Sequence, residues 1–220
     1  YYLAARMLWD VREAENRQVA IDEFLRTAFG PAAGPMKSFY DLLDGTHRQP
    51  LSADLIGRMY RYLDEARKKT VAKDLPGFVD GAVRARLDDL ALYTRYVELW
   101  LDYSTATGPE RQTAFETMLK HTYRMRRTMM IHSLAMFRDV DNRDKGVTLP
   151  ENGQFNVAEG KNPLKDGRPW EAGEIDGLIK EGIARRKLFD FTPVAFDDDL
   201  VPAAPLKLKS AKLGTAGIFS

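Results

Sequence analysis

Histidine is the side chain best suited to proton transfer and metal binding near neutrality, and the chain has three: His47, His121 and His132. His132 draws attention because it falls between Met129 and Met136 on what reads as the apolar seam of a long helix. A general acid/base or a ligand there would need an acidic or second histidine partner one turn away. Positions three and four residues to either side are Thr128, Met129, Ala135 and Met136, so no such partner is supplied. A hydrogen-bonded core or groove histidine is the expected reading. His47 and His121 fall in loop and charged-face settings where nothing in sequence pairs with them.

Asp139-Val140-Asp141-Asn142-Arg143-Asp144-Lys145-Gly146 suggests a calcium loop at first sight. An EF-hand needs oxygen ligands at its first, third and fifth positions, glycine at the sixth and glutamate at the twelfth. Counted from Asp139, the fifth position is Arg143 and the twelfth is Pro150; counted from Asp141, the third and fifth are Arg143 and Lys145. Both registers fail, and the segment reads as a helix exit with a solvated charge run. Asp197-Asp198-Asp199 reads as a turn before a strand. Lys120, Tyr123, Arg124, Arg126 and Arg127 make a basic patch with one aromatic, yet no nucleic-acid reader motif accompanies it, and an exposed helix face is expected. Met118, Met125, Met129, Met130 and Met136 form a methionine-rich seam, more often core filling than an adaptable groove. Trp9, Trp100, Trp170, Tyr93 and Tyr96 could stack on sugar rings, although core or interface anchoring is the commoner use. No phosphate-binding glycine loop, nucleophile elbow or zinc-protease motif occurs. No catalytic, cofactor or metal residue is therefore assigned. His132, Trp9, Trp100 and Trp170 are the candidate ligand contacts.

Composition narrows the classes further. The 220 residues are 44% hydrophobic and 30% charged, as in soluble globular proteins, with a formal net charge of +1. That balance gives no whole-chain field toward nucleic acid or a membrane surface. Cysteine is absent, which removes disulfides, thiolate nucleophiles and cysteine zinc sites. No apolar run approaches the roughly 18 residues of a membrane span.

The elements that must position these residues are mostly helices. Residues 1–140 read as a helical bundle. Its two longest members are expected from Pro76 to Ala106 and from Gly108-Pro109 to Val140, antiparallel across a short connection. Leu87, Leu90, Thr94, Val97 and Leu101 mark one seam; Phe115, Met118, Thr122, Met125, Met129, His132, Met136 and Val140 mark the other. Residues 141–169 are rich in Gly, Asn, Asp, Lys and Pro and read as an irregular connector. A further helix is expected over 170–188 and an extended, β-like segment over 189–220, where Leu206 and Leu208 alternate with Lys207 and Lys209. The fold class is thus mainly α: a bundle of long antiparallel helices with a short C-terminal β segment. The opening Tyr1-Tyr2-Leu3-Ala4-Ala5-Arg6-Met7-Leu8-Trp9 begins directly in an amphipathic pattern, which is expected of a fragment of a larger multidomain protein.

Tyr2-Leu3-Ala4-Ala5-Arg6-Met7-Leu8-Trp9-Asp10, Ile21-Asp22-Glu23-Phe24, Phe29-Gly30-Pro31-Ala32-Ala33-Gly34-Pro35-Met36 and Phe39-Tyr40-Asp41-Leu42-Leu43 together form a recognisable pattern. It resembles a bacterial family, a domain of unknown function, of glycoside-hydrolase-like proteins architecturally related to α-glucuronidases and β-hexosaminidases. The resemblance is concentrated in residues 1–45. Ala28-Phe29 stands where the family usually has two aromatics. The resemblance implies that residues 1–10 are the last helix of a (β/α)8 barrel lying earlier in the same polypeptide. The remaining helices would form a domain behind it. Catalytic groups of such barrels sit on the loops after the strands, so no family catalytic residue maps onto this chain. The implied role is a non-catalytic helical region of a carbohydrate-active enzyme that supports the barrel and edges its cleft. The implied partners are that barrel and a carbohydrate, in a secreted or periplasmic setting. The alternative is a stand-alone helical-bundle interaction module whose groove is the methionine seam around His132.

Overall fold

In a computed structural model of the chain, the described residues are 2–43, 50–70, 77–128 and 130–186. His47, Met129, Asp197–Asp199 and the expected β segment over 189–220 lie outside them. The described part is mainly helical: α1 (Tyr2–Trp9), α2 (Arg17–Phe29), α3 (Ala33–Asp41), α4 (Ala53–Thr70), α5 (Gly77–Thr105), α6 (Gly108–Arg124), α7 (Ser133–Arg143) and α8 (Ala172–Arg185).

Local chemistry accounts for several boundaries. Gly30 ends α2 with φ of 51°, a left-handed turn that residues with a Cβ rarely adopt, and Pro31 then opens a single 3-10 turn before α3. Ser52 starts α4 by accepting from the Leu55 amide at 3.2 Å, and Arg67, Lys68 and Lys69 occupy its last turn, where cations suit the helix dipole.

α4 packs on α3, α5 and α8, and α5 packs on α4, α6 and α8. Two apolar clusters result. One gathers Phe29, Met36, Phe39, Ile56, Met59 and Leu63 with Leu87 of α5 and Ile179 of α8. The other gathers Leu99 and Tyr103 of α5 with Phe115, Met118 and Leu119 of α6, and with Phe137, Val140 and Leu164 beyond. Burying each such side chain contributes about 1.5–3 kcal/mol. At about 1.5 Å per residue, the 29-residue α5 is long enough to serve both clusters. Tyr103 meets the Phe115 ring at 6.0 Å, while Leu92 meets His121; as the number falls along α5 it rises along α6, so the two helices are antiparallel as expected.

The second long helix departs from its predicted course. It is not continuous to Val140: α6 stops at Arg124, the chain turns over 125–128, and α7 begins only at Ser133. The last four carbonyls of α6 all find donors. Met125 N–H donates to His121 O, Arg126 N–H to Tyr123 O, and Trp170 N–H to Arg124 O at 3.2 Å. Ser133 Oγ–H donates to Thr122 O at 2.7 Å. Open carbonyls at a helix end need such partners.

The connector has little regular structure but is firmly held. Gln112 of α6 exchanges two hydrogen bonds of 2.9 Å with the Thr148 backbone, as a neighbouring strand would. Asn162 is buried; its side chain donates to Gln154 O and accepts from Leu164 N–H, both at 2.8 Å. Asp144 corrects the reading of 139–146 as a wholly solvated charge run. It accepts from Tyr103, from Arg111 Nε at 2.8 Å and from the Gly146 amide at 2.8 Å. These bonds hold its carboxyl down at about 2.

Candidate functional site

A cleft of about 480 Å³ opens between α5, α6 and α8. Arg95, Lys120, Arg124 and Arg185 bring four cations to it, with the His121 imidazole and the Trp170 indole in its wall. Leu99 and Leu178 supply apolar surface, and Glu174 and Glu181 stand among the arginines.

The wall is built from α6 and the strand-like approach to α8. Arg124 lies over the Trp170 ring, its guanidinium carbon 3.6 Å from the ring centroid, a cation–π contact. The same arginine donates through Nε to Arg168 O at 3.1 Å and through Nη2 to Glu174 at 3.1 Å. Glu171 and Glu174 form a reciprocal capping box that starts α8 directly after Trp170. His121 meets the indole edge-on at 5.8 Å and its Nε2 lies 3.0 Å from Leu92 O. With Nε2–H donating to that carbonyl, Nδ1 is the lone-pair nitrogen. Burial lowers the His121 pKa to about 4, so the ring is neutral at pH 7. It is too weakly basic there to serve as a poised general base.

Beneath the cleft, Glu98 of α5 is fully buried. Tyr60 of α4 donates to its Oε2 at 2.8 Å; Arg185 donates through Nε at 3.1 Å and Nη2 at 3.0 Å. Arg186 Nε adds a bond at 3.0 Å, and Arg95 Nη1 pairs with Oε2. Burial alone would raise this carboxyl, but the bonds from Arg185, the charge and bond of Arg95 and the Tyr60 hydroxyl outweigh it and hold it at about 2. Burial and the Glu98 charge push the Tyr60 phenol upward. The cluster ties α4, α5 and α8 together behind the cleft. A fully paired buried charge of this kind is first a structural device.

Of the four candidate ligand contacts, Trp170 alone lines this cleft. Its indole Nε1 is buried without a hydrogen-bond partner among the described residues. Trp100 is half-buried against the second apolar cluster, with its ring 6.2 Å from Tyr96 and 5.7 Å from Tyr103; Tyr93 follows 6.1 Å from Tyr96. Trp9 stands 94% exposed on α1. His132 is exposed and caps α7, its Nδ1 accepting from the Ala135 amide at 3.2 Å. The expected core or groove histidine is therefore corrected: the ring is hydrogen-bonded, but exposed at a helix start rather than along a seam. Met118 and Met125 are buried core, and Met136 is half-buried with its sulfur 3.6 Å from the Tyr96 hydroxyl. Of the basic patch, Lys120 and Arg124 face the cleft, Arg126 pairs with Glu159 at 3.2 Å, and Tyr123 is buried.

Glu98 was not singled out, and His121, expected on a charged face, is instead buried. Each looks ordinary in sequence, on a helix flanked by charged residues. The available signal was their register: Glu98 lies one position from Val97 and four from Thr94 on the α5 seam, and His121 lies three from Met118 on the α6 seam.

Among the described residues no group of three or more His, Asp or Glu side chains could hold a metal ion. Nor is any of their helices long and apolar enough to cross a membrane. Compared with known protein families, with curated proteins and with solved structures, the chain matches none of them.

Proposed function

We propose that this chain is the helical supporting region of a glycoside-hydrolase-like protein, with its α1 surface packed on a barrel domain of the same polypeptide. The observation that carries this is the apolar exposure at and just after α1: Leu8 is 87% exposed, Trp9 94%, Val11 79% and Val19 62%. Elsewhere among the described residues the large hydrophobics reach at most 45%, at Leu43. Clustered apolar exposure of this kind marks an interaction surface. The pattern of residues 1–45 supports a barrel as the partner, since the segment resembles a last barrel helix and its sequel. In this proposal the chain acts as a fragment of that larger protein. It carries no chemistry of its own, edges a carbohydrate cleft, works outside the cytoplasm, and continues through 189–220 into a β segment.

The isolated chain is expected to leave aryl glycosides and glucuronides unhydrolysed. Turnover by residues 1–220 that disappears on a carboxylate substitution would overturn the proposal. In a polypeptide that joins barrel and helical region, Trp9 is expected to be shielded from solvent quenchers. An equally quenched Trp9 there would also count against it.

The second reading, a stand-alone interaction module, gains less support. Its groove was to be the methionine seam, and Met118 and Met125 are core residues with 0% and 1% exposure.

A further inference from the structure

We propose that the cleft between α5, α6 and α8 binds a small organic oxyanion, a phosphate or carboxylate whose apolar part lies on Leu99 and Leu178. This inference is independent of the carbohydrate proposal above. The cations around the cleft are Arg95, Lys120, Arg124, Arg185 and, just behind, Arg186. The carboxylates are Glu98, Asp102, Glu174 and Glu181, and each is already held by an arginine. Five cations against four carboxylates leave one positive charge over. That charge is Lys120, exposed on α6, which has no ion-pair partner among the described residues.

Donors remain as well as charge. Among the described residues, Arg124 spends Nε and Nη2 on Arg168 and Glu174, so Nη1 is uncommitted there; Arg95 spends Nη1 on Glu98, so Nε and Nη2 are uncommitted there. Charge-assisted hydrogen bonds from guanidinium and ammonium groups to an oxyanion are the strong kind. The arginines are already fixed by Glu98, Glu174 and the Trp170 ring, so little ordering is needed on binding. The neutral His121 imidazole neither adds to nor repels the bound charge at pH 7. A volume of about 480 Å³ suits a molecule of metabolite size.

The test follows the Trp170 indole N–H resonance of the 15N-labelled full chain, assigned with Trp170→Phe. Sodium phosphate and sodium malonate are titrated separately against sodium chloride at equal ionic strength. A saturable shift at Trp170, with Trp9 unmoved, is expected for at least one, and the tighter of the two identifies the anion class. Lys120→Ala should weaken binding roughly tenfold, Lys120→Arg should restore it, and Glu181→Gln should tighten it. No saturable shift with either salt overturns the proposal. So does binding that survives Lys120→Ala unchanged, or that is no tighter in Glu181→Gln.

Discussion

Gly182 of α8 lies directly against the ring of Tyr60 of α4, so close that a Cβ on Gly182 would overlap the ring carbons. Tyr60 is itself fully buried, and its hydroxyl reaches Glu98 of α5. The missing side chain is therefore what lets a tyrosine lie between two helices and touch a third.

Gly182→Ala should destabilise the chain by about 1–3 kcal/mol, the usual cost of overpacking a tight site. Helix propensity would favour the alanine, so a steric cost must exceed that gain. Urea unfolding followed by circular dichroism measures it. A neutral or stabilised variant would show that Tyr60 moves aside at no cost.

Glu98→Gln should cost more, about 3–5 kcal/mol, because it removes the counter-charge of Arg95, Arg185 and Arg186 from a buried position. Tyr60→Phe removes one hydrogen bond and should cost about 1 kcal/mol. Denaturant midpoints of the two variants at pH 7 give the ranking, and the reverse order would refute the account of the cluster.

Acid sensitivity follows from the lowered pKa values of two buried groups, His121 and Glu98. Folded His121 titrates at about 4 against an ordinary 6.5. Folded Glu98 titrates at about 2 against 4.5. In both cases the unfolded chain takes up its proton first on acidification. Stability is therefore complete above pH 6.5, falls through the His121 window from 6.5 to 4, and falls again through the Glu98 window from 4.5 to 2. The His121 part amounts to roughly 2 kcal/mol between pH 7 and pH 5. His121→Gln keeps a donor for Leu92 O and should flatten that leg; an unchanged pH slope in the variant would place the titrating group elsewhere.

Trp9→Ser and Leu8→Ser should leave this chain's stability within about 0.5 kcal/mol, as expected for exposed side chains without a packing partner. Thermal unfolding of the isolated chain checks this. A large loss would mean that Leu8 and Trp9 pack on the bundle, and would remove the observation on which the proposed barrel contact rests.

The periodic parts of the fold were legible in sequence. Leu87, Leu90 and Thr94 fall on one buried face of α5, as their spacing predicts, and the turns at Gly30 and before Pro109 lie where those residues stand. The end of α6 was not legible, because Arg124 is followed by neither glycine nor proline and the apolar spacing continues through it. What stops the helix is a hydroxyl at Ser133 and an amide at Trp170, and no local pattern encodes partners that distant. The cleft was half legible. Trp170 and the basic run at 120–127 were noticed separately, but only the packing of α6 against the approach to α8 brings Arg124 onto the indole.

The long-range closure of α6 also has a temporal side. The amide that completes its last turn belongs to a residue made 46 positions later. Until Trp170 has left the ribosome, the segment from Pro109 to Val140 is free to extend as the single rod its spacing favours. The nascent chain would then have to unwind a stretch of good helix to reach its finished form. A ribosome-stalled chain ending before residue 169 should accordingly be more helical over 125–132 than the completed protein, and release past Trp170 should reverse that.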